Sequence, residues 1–151
     1  MREPSAYLSV IIPAYNEEPN LSTTLQDVAN FLETKDYRPE IIVVDDGSKD
    51  RTSEIAEAEA RRFDSFILLK NPANRGKGYS VKRGMLEAGG EIVLFMDADN
   101  STRIDQIERL LAALKDGFDV AIGSRRLPGA AIDLAQPISR RILGNTYIWL
   151  S

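Results

Sequence analysis

The chain has neither cysteine nor histidine among its 151 residues. Without cysteine it has no disulfide, no thiol nucleophile and no thiolate zinc site, and its cysteine usage does not indicate a redox compartment. Without histidine it lacks the usual serine or cysteine triads and a histidine general base. Any catalysis by these residues must therefore use carboxylates, lysine, arginine, backbone dipoles or a metal ion held by oxygen ligands.

The chain also lacks an excess of positive charge and any long apolar run. Its net charge of −4 gives no general attraction to polyanions, so binding to nucleic acid through a broad basic face is not expected. No segment reaches the length of a transmembrane helix, and the N-terminus lacks the apolar core of a signal peptide. With 43% hydrophobic and 28% charged residues, we expect one soluble globular domain over residues 1–151.

Short apolar, β-branched segments alternate with segments of helical periodicity along most of the chain. The predicted strands are 8–12, 41–44, 66–69, 93–96 and 119–122, of which the fourth is expected to be buried on both faces. The helical segments that follow them are expected to begin near Asn20, Asp50, Tyr79, Ser101 or Thr102, and Ser139. This alternation, with short links, predicts a mostly parallel sheet covered by helices on both faces.

Charged residues follow these strands at the point where each strand ends. Ligands of open parallel sheets bind beyond the carboxyl ends of the strands. There, Asp97 and Asp99 could converge on one divalent cation, with water and a diphosphate as its other ligands. A single Asp-x-Asp arises by chance in about half of chains this long, so the motif alone is weak evidence for a metal site. Its support comes from the polar and charged residues at the other strand ends. The five strand ends carry 15–17, 45–46, 75–78, 97–99 and 125–126.

Plainer interpretations of the same residues remain open. Asp45 and Asp46 could simply form a turn and cap a helix. The glycines around Arg75 and Lys77 could serve only a turn, or they could open a helix whose N-terminus binds phosphate. Neither a glycine-rich dinucleotide fingerprint nor a Gly-Lys-Ser/Thr phosphate loop is present, which disfavours NAD enzymes and ATPases.

Five sequence blocks occur together in an order typical of a known family. They are VIIPAYNEE (10–18), IVVDDGS (42–48), NRGKG (74–78), MDAD (96–99) and IGSR (122–125). The set resembles the inverting family 2 glycosyltransferases of GT-A fold, which have a mostly parallel Rossmann-like sheet. Within that family it most resembles the dolichyl- or polyprenyl-phosphate sugar synthases, and the third and fourth blocks are more similar to the glucosyl than to the mannosyl branch.

The resemblance implies a binding site for a nucleotide sugar. The residues expected to frame its nucleoside are Pro13, Tyr15, Glu17, Val44 and Asp46. Its diphosphate and a Mg²⁺ or Mn²⁺ ion would be held by Asp97, Ala98 and Asp99, with Asp99 as the direct metal ligand. Lys77, near the start of a predicted helix, is a further candidate for binding the donor. In the mannosyl branch a glutamine that assists the metal stands where this chain has Ser101.

The resemblance also implies a second substrate, a polyprenyl-phosphate acceptor at a membrane surface. Arg125 matches the arginine of the family's Gly-Ser-Arg block and would act in catalysis with Asp97 and Asp99. Arg140 would contact the acceptor phosphate together with Arg125, although Arg140 and Arg141 could equally be a plain basic helix face. The segment 147–150 could lie at the membrane interface or pack in a core.

The expected reaction is metal-dependent transfer of a hexose from UDP-glucose or GDP-mannose to dolichyl or polyprenyl phosphate, on the cytoplasmic face of a membrane. A phosphate monoester is already an anion near pH 7, so such an acceptor needs no histidine base. The alternatives are a family 2 enzyme with a saccharide hydroxyl acceptor and a non-catalytic nucleotide-sugar-binding module. Because the chain stops at Ser151 without a cap or breaker, we expect it to be the N-terminal part of a longer protein.

Overall fold

The computed structural model describes residues 6–123, which contain one four-stranded sheet. All three strand pairs are parallel, and the order across the sheet is β3-β2-β1-β4. This architecture confirms the predicted parallel α/β class. The strands are β1 (Ala6–Ala14), β2 (Pro39–Asp45), β3 (Phe66–Lys70) and β4 (Gly90–Phe95).

Helices connect the strands as the sequence periodicity predicts. Because parallel crossovers are right-handed, the reversal of strand order after β3 puts α1 and α2 on one face and α3 on the other. The helices are α1 (Leu21–Leu32), α2 (Thr52–Glu59), which continues as a 3₁₀ turn over Ala60–Arg62, α3 (Lys77–Glu87) and α4 (Ile107–Lys115), which follows a 3₁₀ turn at Ile104–Gln106.

The two central strands are the core of the molecule. Apolar runs in β1 and β2 are fully buried, as expected for strands that are covered on both faces. Helix α3 approaches these strands through Gly84, where an added Cβ would lie 2.5 Å from Cγ2 of Ile11 and 3.2 Å from Cγ2 of Val44. The close approach of α3 therefore depends on the missing side chain at Gly84.

Strand β4 corrects one prediction. It was expected to be buried on both faces, but its residues alternate between half-buried and exposed. Val93 and Phe95 remain 38% and 46% exposed. The physical reason is position: among the described residues β4 pairs only with β1, so it is an edge strand, and the apolar run by itself could not show this.

The predicted fifth strand is a second correction. Residues 119–122 have no strand conformation, and Val120 and Ile122 are 77% and 80% exposed. An extended apolar segment becomes a strand only when it pairs, and no segment among residues 6–123 pairs with this one. The chain divides into two compact units at Ile107 and Glu108, so these residues belong to the second unit. The helix predicted to begin at Ser139 lies outside the described residues.

Among the described helices, none is both long and apolar enough to cross a membrane.

Candidate functional site

The loops that follow β1 and β2 are hydrogen-bonded to each other at the carboxyl edge of the sheet. The backbone N–H of Asn16 donates to Oγ of Ser48 (3.0 Å), and the N–H of Lys49 donates back to Oδ1 of Asn16 (2.9 Å). One residue on, the N–H of Glu17 donates to Oγ1 of Thr52 (2.8 Å). The two strand ends therefore present one continuous surface.

The predicted nucleoside residues divide between this surface and the core. Tyr15 is 42% exposed, and Pro13 is half-buried. The carboxylate of Glu17 accepts a hydrogen bond from Nδ2 of Asn20 (2.9 Å) at the start of α1. Val44, by contrast, is fully buried against α3. The side chain of Val44 therefore packs in the core, and the predicted contact of this residue with a nucleoside stays a prediction.

Asp46 is buried and holds the loop that precedes α3. Its Oδ1 accepts hydrogen bonds from Nδ2 of Asn71 (2.6 Å) and the N–H of Arg75 (2.9 Å). Its Oδ2 accepts the N–H of Gly76 (2.7 Å) and shares that of Arg75 (3.1 Å). The described contacts of this carboxylate thus join the end of β2 to the Asn-Arg-Gly-Lys-Gly block, and its predicted contact with a nucleoside stays a prediction.

The hydrogen bonds decide the acidity of Asp46. Burial by itself raises the pKa of this carboxyl, since the charged form loses hydration. The donors around it, first the N–H of Arg75, then Asn71, the N–H of Gly76 and Ser80, outweigh burial and hold the pKa of Asp46 below its ordinary value. Asp46 is therefore a charged acceptor at neutral pH, and its charge strengthens the bonds that order the loop.

A cleft of about 590 Å³ opens beside Asp46, between the loops that follow β1, β2 and β3. The residues that line it include Tyr15, Ser48, Lys49 and Asn71. Asp45 also faces it, and its carboxylate accepts hydrogen bonds from Ser53 and from the N–H of Ser48. A volume of this size accommodates a nucleoside-sized ligand.

Gly47 allows the loop that follows β3 to pack against the loop that follows β2. Its φ is +73°, and an added Cβ would lie 2.7 Å from the carbonyl carbon of Ala73. A residue with a side chain would meet backbone there and would also strain the turn. The glycine of the Asp-Asp-Gly-Ser block therefore serves the packing of two loops at the cleft.

The Asp-x-Asp segment after β4 is held by its middle residue. Ala98 is buried, and its carbonyl accepts a hydrogen bond from Oγ1 of the fully buried Thr24 on α1 (2.7 Å). On either side, the side chain of Asp97 is 42% exposed and Asp99 is exposed. Oδ1 of Asp99 accepts the N–H of Ser101 (2.9 Å). Buried Ala98 thus leaves both carboxylates directed away from the core.

Helix α3 begins beside this segment. Gly76 precedes it with φ +90°, and no side chain caps the N-terminus of the helix. Lys77, its first residue, forms an ion pair with Oδ1 of Asp97 and lies 5.9 Å from the ring centroid of Phe95. The structure therefore brings together Lys77 and Asp97, which are 20 residues apart in the chain.

The carboxylates at this edge fit a divalent cation whose other ligands are a diphosphate and water. No group of three or more acidic or histidine side chains gathers for a metal anywhere in residues 6–123. A cage made only of protein ligands is therefore not formed there. Mg²⁺ characteristically uses one or two carboxylates together with substrate phosphates and water, and Asp97 and Asp99 match that donor set.

Sequence reasoning missed three residues of this site, namely Thr24, Asn71 and Gly47. Asn71 offered a signal, since it directly follows β3 and precedes a proline. Thr24 offered none, because its role depends on the approach of α1 to a segment 74 residues away. Arg125 and Arg140, the predicted acceptor residues, lie outside the described part of the chain.

Comparison with known sequences gives matches over almost the whole chain. The pattern described as Glycosyl transferase family 2 matches residues 9–150. The chain is 37% identical over 94% of its length to a dolichyl-phosphate beta-glucosyltransferase of Trichomonas vaginalis and covers 46% of that protein. It is 38% identical over 91% of its length to a dolichol-phosphate mannosyltransferase of Pyrococcus furiosus and covers 38% of it. The chain thus spans less than half the length of these relatives.

Among solved structures, the chain is similar to glucosyl-3-phosphoglycerate synthase of Mycobacterium tuberculosis in complex with Mn²⁺, UDP and glucosyl-3-phosphoglycerate. The TM-score is 0.58 at 26% identity, over 73% of this chain and 40% of that one. This likeness confirms the predicted GT-A fold.

Proposed function

Because the chain belongs to glycosyl transferase family 2, we propose that the complete protein transfers a hexose from a nucleotide sugar to dolichyl or polyprenyl phosphate. The sequence similarity to dolichyl-phosphate glucosyl- and mannosyltransferases supports this acceptor. Since the acceptor is a lipid, the proposed place of action is a membrane surface, at its cytoplasmic face.

The observation that carries the proposal is the position of Asp97, Asp99 and Lys77. Two carboxylates leave a segment held by buried Ala98, and an ammonium at the N-terminus of α3 contacts the first of them. Carboxylates suit Mg²⁺ or Mn²⁺, while an ammonium and a helix N-terminus suit phosphate oxygens. A metal-bound diphosphate satisfies all of these groups together.

Each side chain has a defined part in the proposed reaction. Asp97 and Asp99 would hold the cation, and a bound cation would neutralise the charge that develops on the departing nucleoside diphosphate. Lys77 and the N-terminus of α3 bind the diphosphate. Arg125 and Arg140 are proposed to place the acceptor phosphate in line with the anomeric carbon. In such a geometry the phosphate, already an anion, needs no separate base.

The nucleoside is proposed to lie in the cleft beside Tyr15. Pro13 and Glu17 lie close to Tyr15 in the chain and are proposed to contribute to the same site, and Asp46 accepts hydrogen bonds from the loop between β3 and α3. UDP-glucose is the donor that we propose first, since the Asn-Arg-Gly-Lys-Gly and Asp-Ala-Asp blocks resemble the glucosyl branch. GDP-mannose is the second candidate, because the mannosyltransferase relative matches the chain with similar identity.

Thermal unfolding with a nucleotide panel tests the donor half of the proposal. UDP, GDP, UDP-glucose and GDP-mannose would each be added with Mn²⁺ or with chelator. A ligand at a hundredfold excess over its Kd adds about 2.7 kcal/mol of stability, which raises the melting temperature visibly. We expect a metal-dependent rise with the uridine ligands. A complete protein that responds to none of the four, with or without Mn²⁺, would contradict the proposed donor.

The acceptor half needs the complete protein and a panel of acceptors. Transfer to dolichyl or polyprenyl phosphate, but not to the corresponding free alcohol or to a saccharide, is the expected result. Transfer only to a saccharide hydroxyl would replace the lipid-phosphate assignment while leaving the donor assignment intact.

A further inference from the structure

We propose that Lys77 is an exchangeable counter-ion of Asp97. Its ammonium neutralises this carboxylate while no cation is bound, and it moves to the donor diphosphate when the cation takes that carboxylate. This inference rests on the proposed function, since it assumes that cation and diphosphate meet at Asp97. It adds a role for Lys77 in coupling the binding of the two.

The first support is the ion pair itself. The ammonium of Lys77 contacts Oδ1 of Asp97, one of the oxygens that a divalent cation would need. Two cations at one carboxylate oxygen repel each other, so the ammonium has to leave when the metal ion arrives. Metal binding at this site therefore includes the breaking of the pair.

The second support is how loosely the pair is held. The side chains of Lys77 and Asp97 are 55% and 42% exposed. Ion pairs of such exposure contribute only about 0–1 kcal/mol, so a cation can displace the ammonium at small cost. A deeply buried pair would instead have to be broken at several times that cost.

The third support is the open space around the start of α3. Cβ atoms added at Gly76 or Gly78 would meet nothing within 4 Å, so the two positions that flank Lys77 in the chain are open. At the same time the N–H of Gly76 is held by Asp46, which keeps the backbone in place. The flexible stem of the lysine can therefore turn toward a phosphate while the helix end stays still.

Coupling follows from these three points. Alone, Mn²⁺ must compete with the ammonium and so binds weakly. With a diphosphate present, the displaced ammonium gains a phosphate partner, and Mn²⁺ binds more tightly than the added phosphate ligands alone would explain. Lys77 thereby makes the site favour a cation that arrives with the nucleotide over a free cation.

The test measures Mn²⁺ binding to the complete protein from the electron paramagnetic resonance signal of free Mn²⁺, without nucleotide and with UDP or GDP. Lys77→Met removes the ammonium, and Lys77→Arg keeps a positive charge. Lys82→Met is the matched control, since Lys82 is an exposed lysine of the same helix. We expect Lys77→Met to bind Mn²⁺ alone two- to fivefold more tightly, which corresponds to an exposed pair of up to about 1 kcal/mol.

In the same variant, the gain in Mn²⁺ affinity caused by the nucleotide should fall about fivefold or more. Lys77→Arg should resemble the unchanged protein in the absence of nucleotide, and Lys82→Met should change neither quantity. Unchanged or weaker binding of Mn²⁺ alone to Lys77→Met, while the unchanged protein still couples Mn²⁺ to nucleotide, would overturn the counter-ion role and leave the proposed function standing. An unchanged protein that binds neither Mn²⁺ nor nucleotide would instead overturn the proposed function.

Discussion

Oδ2 of Asp46 accepts the backbone N–H of Gly76 at 2.7 Å, which joins the end of β2 to the residue before α3. These two residues are 30 positions apart, yet this bond and those to Asn71 and Arg75 set the loop that places Lys77 at Asp97. The buried carboxylate of Asp46 thus positions the ammonium of Lys77 and the N-terminus of α3, both of which the proposed chemistry uses.

Asp46→Asn should destabilise the protein by about 1–3 kcal/mol. The new amide cannot accept at both positions, so the N–H of Arg75 or Gly76 loses its partner in a partly buried place. Urea unfolding at pH 7 measures the loss, and Asp64→Asn, at an exposed aspartate, is the control. Equal stability of the two variants would show that the loop bonds contribute nothing.

The loss in Asp46→Asn should depend on pH in one direction. The pKa of Asp46 is lowered from the ordinary 3.8, so the folded state binds its proton less readily than the unfolded state does. Its stabilisation is complete above about pH 5 and decreases as the pH falls through 3.8 toward the lower folded pKa. The difference in unfolding free energy between wild type and variant should therefore shrink in acid. A difference that grows as pH falls would contradict this assignment.

Gly47→Ala should cost more stability than Gly117→Ala. Both glycines have positive φ, +73° and +95°, so both substitutions strain the backbone. Only at Gly47 would the new Cβ also meet backbone, 2.7 Å from the carbonyl carbon of Ala73. We expect a loss of about 1 kcal/mol at Gly117 and at least about 2 kcal/mol at Gly47 in urea unfolding. Equal losses would mean that the loops move apart without cost.

Thr24→Val should loosen the Asp-x-Asp segment. Valine keeps the shape of the side chain but removes the hydroxyl that donates to the carbonyl of Ala98. We expect a stability loss of about 1–3 kcal/mol and weaker Mn²⁺ binding in the presence of UDP. The matched substitution Thr23→Val, at an exposed position one residue earlier, should change neither. If Thr24→Val is destabilised but binds Mn²⁺ undiminished, the hydrogen bond stabilises the fold without supporting the metal site.

Asp99→Asn in the complete protein should abolish hexose transfer, with a loss of about a hundredfold or more, and leave the fold intact. The substitution removes the charge of an exposed carboxylate assigned to the cation, not a core contact. Transfer assays and circular dichroism on the same preparation check both parts. Unimpaired turnover would exclude Asp99 as the metal ligand.

The sequence patterns predicted the fold well where periodicity and burial agree. Strands β1 and β2 are central and their apolar runs are fully buried, so these runs indicated both conformation and environment. The same kind of run misled at β4 and at residues 119–122. An apolar run predicts a buried strand, but it does not show which segment pairs with that strand or covers it.

The site shows the same division. Asp97, Asp99 and Lys77 could be proposed from their places at strand and helix ends, and the structure brings Lys77 and Asp97 together. The packing of the Val44 side chain in the core could not be predicted, because a residue one or two positions before a strand end can face either the edge or the core. Thr24 and Gly47 were missed because each acts through a contact with a residue distant in the chain.

The sequence by itself determined the parallel α/β class, the exclusion of cysteine and histidine chemistry, and the gathering of acids and bases at one sheet edge. These follow from composition and from periodicity, which act locally along the chain. Only the tertiary structure decided that Asp46 is a buried hydrogen-bond acceptor and that Lys77 forms an ion pair with Asp97. Such relationships depend on which loops pack together, and no single segment of the sequence predicts packing between distant segments.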